Sequence, residues 1–369
     1  MQSDQEGETM EMTKLQPLPA QTNLETIDIL KKAAEAHRYL AELKGGAATI
    51  PNEAILINTL SLQEAKDSSA VENIVTTHDE LYRAQSGDPS ASPAAKEVER
   101  YALALQYGYR EVRKTPLITT RLILTLQEIL EKNDAGLRKL PGTSLKNQAT
   151  GEVVYTPPQD HAEIVELMSN LEQFINDAEM SGLDPLVKLA IIHFQFESIH
   201  PFYDGNGRTG RIINVLYLLV NDLLRIPVLY LSRYIIQNKA DYYRLLQAVR
   251  DDGAWEEWVI FILDAIAGTS RQTLQLITEI KVLMLKTKHQ LRAEFPRLYS
   301  QDLLNNLFRH PYTKISFLQE DLRVSRITAA RYLDKLAEAG YLGKHRVGRS
   351  NYYVNKPLVE LLTHIPELD

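Results

Sequence analysis

The amino-acid sequence predicts a mainly α-helical protein with a small β-hairpin near its middle and a second hairpin towards its C-terminal end. Apolar residues recur at helical spacing over most of the 369 residues. Two short stretches, residues 152–156 and 342–354, have the composition of β-strands. The length suits roughly two to three domains of ~100–200 residues each, and 44% hydrophobic content is enough for a substantial core.

The helical pattern divides the chain into a series of segments. Gly45 and Gly46 are expected to end the first helix and Gly340 the last, while Ser325 suits the N-cap of that last helix. Residues 86–90 predict a turn, and residues 1–20 predict a polar arm. The predicted helices cover residues 23–43, 55–72, 74–85, 94–113, 119–132, 161–178, 184–196, a segment from 208 onward, 238–250, 254–292, 301–308, 315–322 and 325–339.

The composition limits the classes of protein. The chain has no cysteine, which excludes disulfides and thiolate metal sites and fits a reducing compartment. The polar, acidic N-terminus does not have the pattern of a signal peptide, and no run reaches the ~18 apolar residues of a membrane span. We therefore expect a cytoplasmic protein. The net charge of −7 argues against a protein that coats nucleic acid, but it allows a local basic module.

Residues 199–211, with the sequence IHPFYDGNGRTGR, carry the strongest chemical signal. Glycines allow backbone N–H groups to approach a ligand closely, and the start of a helix favours an anion. Two arginines three residues apart share a helix face and add positive charge. A carboxylate suits Mg²⁺, and a histidine, whose pKa is expected to lie near neutrality, suits a general base. The candidate residues are His200, Asp204, Gly205, Asn206, Gly207, Arg208 and Arg211.

This segment resembles the Fic family motif, His-x-Phe-x-(Asp/Glu)-Gly-Asn-Gly-Arg-x-x-Arg, and matches it at every fixed position, including Phe202. The loop differs from that of the related Doc kinases. The resemblance therefore implies transfer of AMP from ATP to a Ser, Thr or Tyr hydroxyl of a protein target. Whether the chain also modifies itself stays open.

The resemblance also implies a role for each residue of the loop. His200 takes the proton from the target hydroxyl, Asp204 holds Mg²⁺, and Phe202 anchors the loop in the core. Asn206 and the amides of the loop, which include those of Gly205 and Gly207, hold phosphate oxygens. Arg208 and Arg211 neutralise the β- and γ-phosphates.

Two flanking regions extend the predicted site. Val153, Val154, Tyr155 and Thr156 lie where Fic proteins place a flap that pairs with the backbone of the target; a plain surface hairpin is the alternative. Asn238, Tyr242 and Tyr243 lie where the family shapes the adenine pocket, although helical tyrosines more often belong to a core.

A built-in brake is predicted from Ser68, Glu72 and Asn73, which match the inhibitory motif of the family, (Ser/Thr)-x-x-x-Glu-(Gly/Asn). We expect Glu72 to pair with Arg211, so that the γ-phosphate of ATP does not engage that arginine productively. The sequence leaves a second role open, in which Glu72 orients a water for the removal of AMP.

The C-terminal region has the order helix, helix, helix, hairpin and resembles a winged helix-turn-helix, with residues 324–336 as its recognition helix and a hairpin turning at Gly348. DNA docking and protein contacts are both open functions for this module. Its basic residues, opposed only by Asp334 and Glu338, are Arg323, Arg326, Arg331, Lys335, Lys344, Arg346, Arg349 and Lys356.

Together these features predict three regions. Residues 1–110 form an N-terminal helical region with the inhibitory motif, residues 111–290 a Fic catalytic core, and residues 291–369 the winged-helix module. The alternatives to a self-restrained adenylyltransferase are a nucleotide-sensing transcriptional regulator and a Fic enzyme that removes AMP. A homo-oligomer also stays open.

Overall fold

The computed structural model describes residues 14–20, 22–85, 91–146, 150–347 and 350–363. These residues are mainly helical, with one two-stranded and one three-stranded antiparallel sheet, which confirms the predicted fold class. The helices are α1 (Ile27–Ala47), α2 (Glu53–Val71), α3 (His78–Gln85), α4 (Pro93–Lys114), α5 (Thr120–Glu131), α6 (His161–Asn176), α7 (Pro185–Ile199), α8 (Asn206–Val220), α9 (Leu231–Gln237), α10 (Lys239–Asp252), α11 (Trp255–Glu294), α12 (Gln301–Arg309), α13 (Ile315–Leu322), α14 (Arg326–Glu338) and α15 (Lys356–Thr363). The strands are β1 (Leu145–Lys146), β2 (Val153–Tyr155), β3 (Tyr312–Lys314), β4 (Gly343–Val347) and β5 (Ser350–Val354).

Helices α7 and α8 form the centre of the core. Every residue of α7 from 186 to 199 is buried, as expected for a helix whose sequence has almost no polar face. The long helix α11 packs against both α7 and α1. Its Trp258 is fully buried and donates its indole N–H to the carbonyl of Ala190 at 2.8 Å. The turn that joins α7 to α8 is therefore held at both ends by helices that are packed in the core.

Helix α2, which carries the predicted inhibitory motif, packs against α4, α9 and α12. Glu64 on its buried face accepts hydrogen bonds from the hydroxyls of Tyr101, at 2.9 Å, and Ser232. Burial raises the pKa of this carboxyl group to about 8, so it is mostly protonated at neutral pH. A largely neutral carboxyl group thus joins α2 to α4 and α9.

The C-terminal module contains three helices followed by a hairpin, in the predicted order. Its sheet has the order β3-β5-β4, with Tyr312 opposite Val354. Ser325 caps α14, as expected, and accepts the N–H of Thr328 at 3.2 Å. The ring of Tyr312 stacks on that of Tyr82 in α3 with centroids 5.0 Å apart. The module is thus packed directly against the N-terminal helices.

Several expected boundaries differ from the structure. Gly45 and Gly46 do not end α1, which continues to Ala47. A side chain at position 46 would collide with Leu274 of α11. The glycine there permits close helix packing. Helix α3 starts at His78 rather than residue 74, and α7 continues to Ile199. The periodicity missed the short elements α9, α15 and β3. The predicted turns at residues 86–90 and at Gly348 lie outside the described residues.

Within the described ranges, none of the helices combines the length and the apolar character that crossing a lipid bilayer requires.

Replacing Trp258 should strongly destabilise the core. Trp258→Ala removes a fully buried ring and its hydrogen bond, for which we expect a loss of about 3–5 kcal/mol in the free energy of unfolding. Urea denaturation measures the loss, and Trp255→Ala provides the same deletion at a half-buried position of the same helix. Equal losses for the two variants would contradict the central position of Trp258.

Candidate active site

A cavity of about 450 Å³ lies beside the turn between α7 and α8. This volume is within the ~300–1,000 Å³ typical of small-molecule sites. It is bounded by the end of α2, the strands β1 and β2, the beginning of α8 and the length of α10. Its lining residues are Glu72, Ser144, Leu145, Lys146, Val154, Glu197, His200, Gly207, Arg211, Lys239, Tyr242, Tyr243, Leu246 and Arg250.

His200 lies in this lining and ends α7. Its backbone has φ 48° and ψ 57°, a left-handed conformation that stops the helix. Its N–H still donates to the carbonyl of Phe196 at 3.0 Å, so the turn is tied to the last turn of α7. The geometry directs the chain away from the helix axis at the residue that was predicted to be the base.

The protonation of His200 differs from the expectation of a pKa near neutrality. Burial, followed by the positive charge of Arg138, lowers the pKa of His200 to about 4, and Arg250 adds to the effect. The backbone of Glu197 and the charge of Glu72 act in the opposite direction. The imidazole is therefore neutral at pH 7, which is the form that a general base requires.

Asn206 holds the turn in shape. Its side chain donates to the carbonyl of Phe202 at 2.8 Å and accepts the N–H of the same residue at 2.8 Å. Phe202 is fully buried, as predicted for the anchor of the loop. Both polar groups of the Asn206 side chain thus bind backbone atoms, and the contact between this side chain and a phosphate stays a prediction.

Two glycines have distinct structural roles in the turn. Gly205 has φ 80°, which favours glycine, and it caps α8. At Gly207, a Cβ atom would collide with the Glu72 carboxylate and press on the Arg211 guanidinium. Gly207 lines the cavity, so its missing side chain leaves the backbone of the first turn of α8 accessible from it.

Asp204 is the residue best suited to a magnesium ion. Its side chain is 77% exposed, and one carboxylate oxygen accepts the N–H of Gly205 at 2.7 Å. Mg²⁺ binds proteins through one or two carboxylates together with water and substrate phosphates. The described residues contain no cluster of three or more potential metal ligands. A single exposed carboxylate fits an ion that arrives with a nucleotide.

Arg208 lies in a different environment from the one predicted. Its guanidinium is almost fully buried and pairs with Glu97 of α4 and Glu131 of α5, each at 2.6 Å. It is not part of the cavity lining, and neither is Asp204, whose carboxylate lies 4.0 Å from the guanidinium. In this structure Arg208 joins α8 to α4 and α5, and the phosphate contact expected of it stays a prediction.

Arg211 and Glu72 form the ion pair that the sequence predicted. Arg211 Nη2 lies 2.9 Å from Glu72 Oε1, and the same guanidinium donates to the hydroxyl of Ser68 at 2.8 Å and to its carbonyl at 2.9 Å. Burial raises the pKa of Glu72, but the charge of Arg211 and its hydrogen bond outweigh burial and lower it overall. Asn73 follows with φ 63° and accepts a hydrogen bond from Lys239 at 3.0 Å.

The residues of the expected adenine pocket have separate environments. Tyr242 is buried, and its hydroxyl lies 2.9 Å from His193 Nε2, so this ring belongs mainly to the core. Tyr243 is 46% exposed and lines the cavity, which leaves its ring accessible. Asn238 is outside the lining, and its side chain donates to the carbonyl of Tyr234 at 2.9 Å.

The expected flap is a two-stranded hairpin of β1 and β2, in which Leu145 lies opposite Tyr155. Val153 and Val154 are exposed, and Val154 lines the cavity. Tyr155 turns inward and donates its hydroxyl to the carbonyl of Ser198 at 3.0 Å. Thr156 lies just beyond the strand, half-buried. Among the described strands β2 pairs only with β1.

The charged residues near the turn that sequence reasoning missed include Arg138, Glu197, Lys239 and Arg250. Arg138 binds the backbone of the turn, while Glu197, Lys239 and Arg250 line the cavity. Burial raises the pKa of Glu197 to about 7. Glu197 precedes His200 by one helical turn, which could have drawn attention to it. The other three lie far from the motif in sequence and have no local signal.

Family comparisons agree with this geometry. A sequence model described as Fic/DOC family N-terminal matches residues 30–110, and one described as Fic/DOC family matches residues 117–218. A third, described as protein adenylyltransferase SoFic-like, C-terminal domain, matches residues 283–358. The chain belongs to the Fic/DOC family. The segment from His200 to Arg211, which comprises the turn between α7 and α8 and the start of α8, is therefore the Fic motif of this chain.

Individual relatives are similar to this chain over part of its length. Proteins named protein adenylyltransferase Fic from Drosophila mojavensis and Drosophila virilis are 28% and 29% identical over 158 residues. The match covers 41% of this chain but only 29% and 30% of those relatives, so this chain spans less than a third of their length.

Solved structures share the fold. A Fic family protein from Desulfovibrio desulfuricans G20 superposes with a TM-score of 0.58 at 22% identity, covering 92% of this chain and 98% of that one. Fic-1 from C. elegans, residues 134–508, gives a TM-score of 0.51 at 19% identity and covers 69% of this chain and 73% of that one.

The imidazole of His200 should remain neutral well below the usual range for histidine. Because burial and Arg138 lower its pKa to about 4, its NMR signal should titrate near that pH rather than near 6.5. The signal is assigned by its absence from a His200→Asn variant. A midpoint close to 6.5 would contradict the electrostatic environment described above.

Proposed function

We propose that this chain is a protein adenylyltransferase that transfers AMP from ATP to a Ser, Thr or Tyr hydroxyl of a protein. The observation that carries the proposal is the convergence of a neutral imidazole at His200 with Arg211 on one cavity beside the start of α8. The names of the relatives and of the matching C-terminal domain favour the same activity.

The reaction requires a base, an anion site and accurate positioning. His200 removes the proton of the target hydroxyl, whose oxygen bonds to the α-phosphorus of ATP while the bond from that phosphorus to the pyrophosphate oxygen breaks. The N-terminal turn of α8 and the Arg211 guanidinium face the negative charge of the phosphates. Phosphoryl-type transfer depends largely on such positioning and charge neutralisation.

Asp204 is the residue that would hold Mg²⁺, since its carboxylate is exposed at the edge of the turn. The ion, when bound with ATP, supplies charge neutralisation on the phosphate oxygens. The ring of Tyr243 lines the cavity and is the surface on which the adenine of ATP stacks. Strand β2 has an edge to which an extended target segment adds as a further strand.

Autoinhibition by Glu72 follows from competition for Arg211. The Glu72 carboxylate, 2.9 Å from Arg211 Nη2, pairs with the guanidinium that would otherwise bind the γ-phosphate of ATP. ATP bound without this contact would place its α-phosphate poorly for attack. Glu72 also lines the cavity, so a role in orienting water for the removal of AMP is the runner-up.

Labelled AMP transfer tests the proposal. With α-labelled ATP and Mg²⁺, Glu72→Gln should increase the label on protein by about 5- to 150-fold, the range of typical coupling free energies. The amide keeps the shape of Glu72 but removes its charge. His200→Ala in the Glu72→Gln background should lower the rate by ~10²–10⁴-fold, as expected for the loss of a general base.

Glu166→Gln is the matched control, because it removes an exposed carboxylate of α6 that does not line the cavity. Persistent absence of label, even for Glu72→Gln, would refute transfer and favour a nucleotide-sensing regulator. Label on the chain itself would identify self-modification. Cytoplasmic location and homo-oligomer formation stay predictions.

A second candidate function, DNA binding, is favoured by the surface of the C-terminal module. Arg323, Arg326 and Arg331 are exposed along α14 and its N-terminal approach, and Ile327 between them is 82% exposed. Lys344 is paired with Asp334 at 2.7 Å, whereas Lys335 and Lys356 add further exposed positive charge. Arg349 lies outside the described residues. This arrangement suits contacts to the phosphates of a duplex.

Salt-dependent duplex binding tests this second function in the full chain. The double variant Arg326→Gln/Arg331→Gln should weaken binding and reduce the slope of log K against log salt by about 2, one unit for each lost phosphate contact. Lys31→Gln/Arg121→Gln removes the same charge from exposed positions of α1 and α5. Equal slopes for the two double variants would exclude α14 as the binding surface.

A further inference from the structure

Arg138 is a fully buried arginine in the segment between α5 and β1. Its guanidinium makes no ion pair with a carboxylate among the described residues; its hydrogen-bond partners there are backbone carbonyls. Burying a charge without a counter-charge is expensive, and burial lowers the pKa of this group. Stability alone offers little reason for an arginine at this position.

The partners of Arg138 are concentrated on the catalytic turn. Its Nε donates to the carbonyl of His200 at 2.8 Å, and its Nη2 lies 3.4 Å from the carbonyl of Ile199. Its own backbone N–H donates to the carbonyl of Pro201 at 2.8 Å. These three carbonyls follow one another at the C-terminal end of α7, where helical hydrogen bonding stops. A cation at a helix C-terminus is also favourable electrostatically.

The other end of the same guanidinium binds the base of the flap. Nη2 donates to the carbonyl of Pro158 at 2.7 Å, three residues beyond the end of β2. Neighbouring contacts strengthen the link, because the hydroxyl of Tyr203 accepts the N–H groups of Lys139 and Leu140, each at 3.1 Å. One side chain therefore joins the residue proposed as base to the hairpin proposed to receive the target.

We propose that Arg138 is the positioning residue of the active site, which holds the left-handed backbone of His200 and fixes the distance between the imidazole and the flap. The inference rests on the proposed function, since it is the reaction that requires this distance. In a target segment paired with β2, the position of the hydroxyl is set by the position of the hairpin. The His200 imidazole must lie within reach of that hydroxyl, and Arg138 contacts both the backbone of His200 and the base of the hairpin.

The charge of Arg138 has a second effect on the same residue. After burial it is the largest influence that lowers the pKa of His200. The other charged groups that affect the imidazole are Arg250, which also lowers this pKa, and Glu72, which raises it, as does the backbone of Glu197. Removing the charge at position 138 therefore raises the pKa of His200 towards its usual range.

Two substitutions separate these effects, both measured in the Glu72→Gln background. Arg138→Lys keeps the charge but loses the fork that reaches two chain segments. Arg138→Gln loses both. Both variants should lower kcat by about 10²-fold, the effect of an ångström-scale misplacement, with little change in KM for ATP. The acid limb of the pH–rate profile and the NMR titration of His200 should move to higher pH in Arg138→Gln but not in Arg138→Lys.

Arg121→Gln, an exposed arginine of α5, is the control for a general change in charge. A kcat within twofold of the parent for either Arg138 variant, or a His200 titration unchanged in Arg138→Gln, would overturn the proposal. If both variants unfold, Tyr203→Phe provides the test, because its half-exposed hydroxyl holds the Arg138 segment without filling core space. It should lower kcat several-fold, and an unchanged kcat would overturn the proposal.

The titration of His200 needs no ATP and no target. If AMP transfer is absent in every variant while the Arg138 substitution still shifts that titration, the proposed function fails but the link between Arg138 and His200 stands. If transfer occurs and neither Arg138 variant affects it, the function stands and the positioning role fails.

Discussion

The charge of Arg211 is the constraint around which the site is organised. This guanidinium is buried at the start of α8, and it must have partners because an unpaired buried charge is strongly unfavourable. Ser68 and Glu72 supply them from α2 through three contacts between 2.8 and 2.9 Å. Two of the three partners are neutral, so the guanidinium stays oriented even when its anionic partner changes. A phosphate is the one common ligand that could replace a carboxylate in this geometry with equal or better hydrogen bonding.

The helices around α2 fix the position of Glu72, so that replacement of its carboxylate by a phosphate at Arg211 would not require α2 to move. Glu64 lies two helical turns before Glu72 on α2, and its largely protonated carboxyl group joins α2 to α4 and α9 by hydrogen bonds. A neutral donor–acceptor group in that position adds directionality without adding a charge to the buried region around Arg211. The helix that carries Glu72 is thereby held in register, and its C-terminal end is the place where the proposed competition between a nucleotide and Glu72 would occur.

The sequence was sufficient for contacts that depend on a local pattern. The helices, the capping by Ser325 and the pairing of Glu72 with Arg211 follow from periodicity and from motif spacing. It was insufficient where partners come from distant segments. Arg208 is paired with Glu97 and Glu131, which are 111 and 77 residues away in the chain, and no local pattern indicates that proximity. The pKa of His200 depends likewise on burial and on Arg138, neither of which is visible before the chain folds.

The packing of the C-terminal module on α2 and α3 has a thermodynamic consequence. Helix α12 contacts the helix that bears Glu72, and Tyr312 both stacks on Tyr82 and donates its hydroxyl to Asp79 at 2.8 Å. This contact contributes to the stability of both the C-terminal module and the N-terminal helices. By reciprocity, if a ligand bound to the arginines of α14 favoured one orientation of α12, it would shift the proposed competition at Arg211 by some factor. A nucleotide bound in the cavity would then change the affinity for that ligand by the same factor, although the two ligands would never touch.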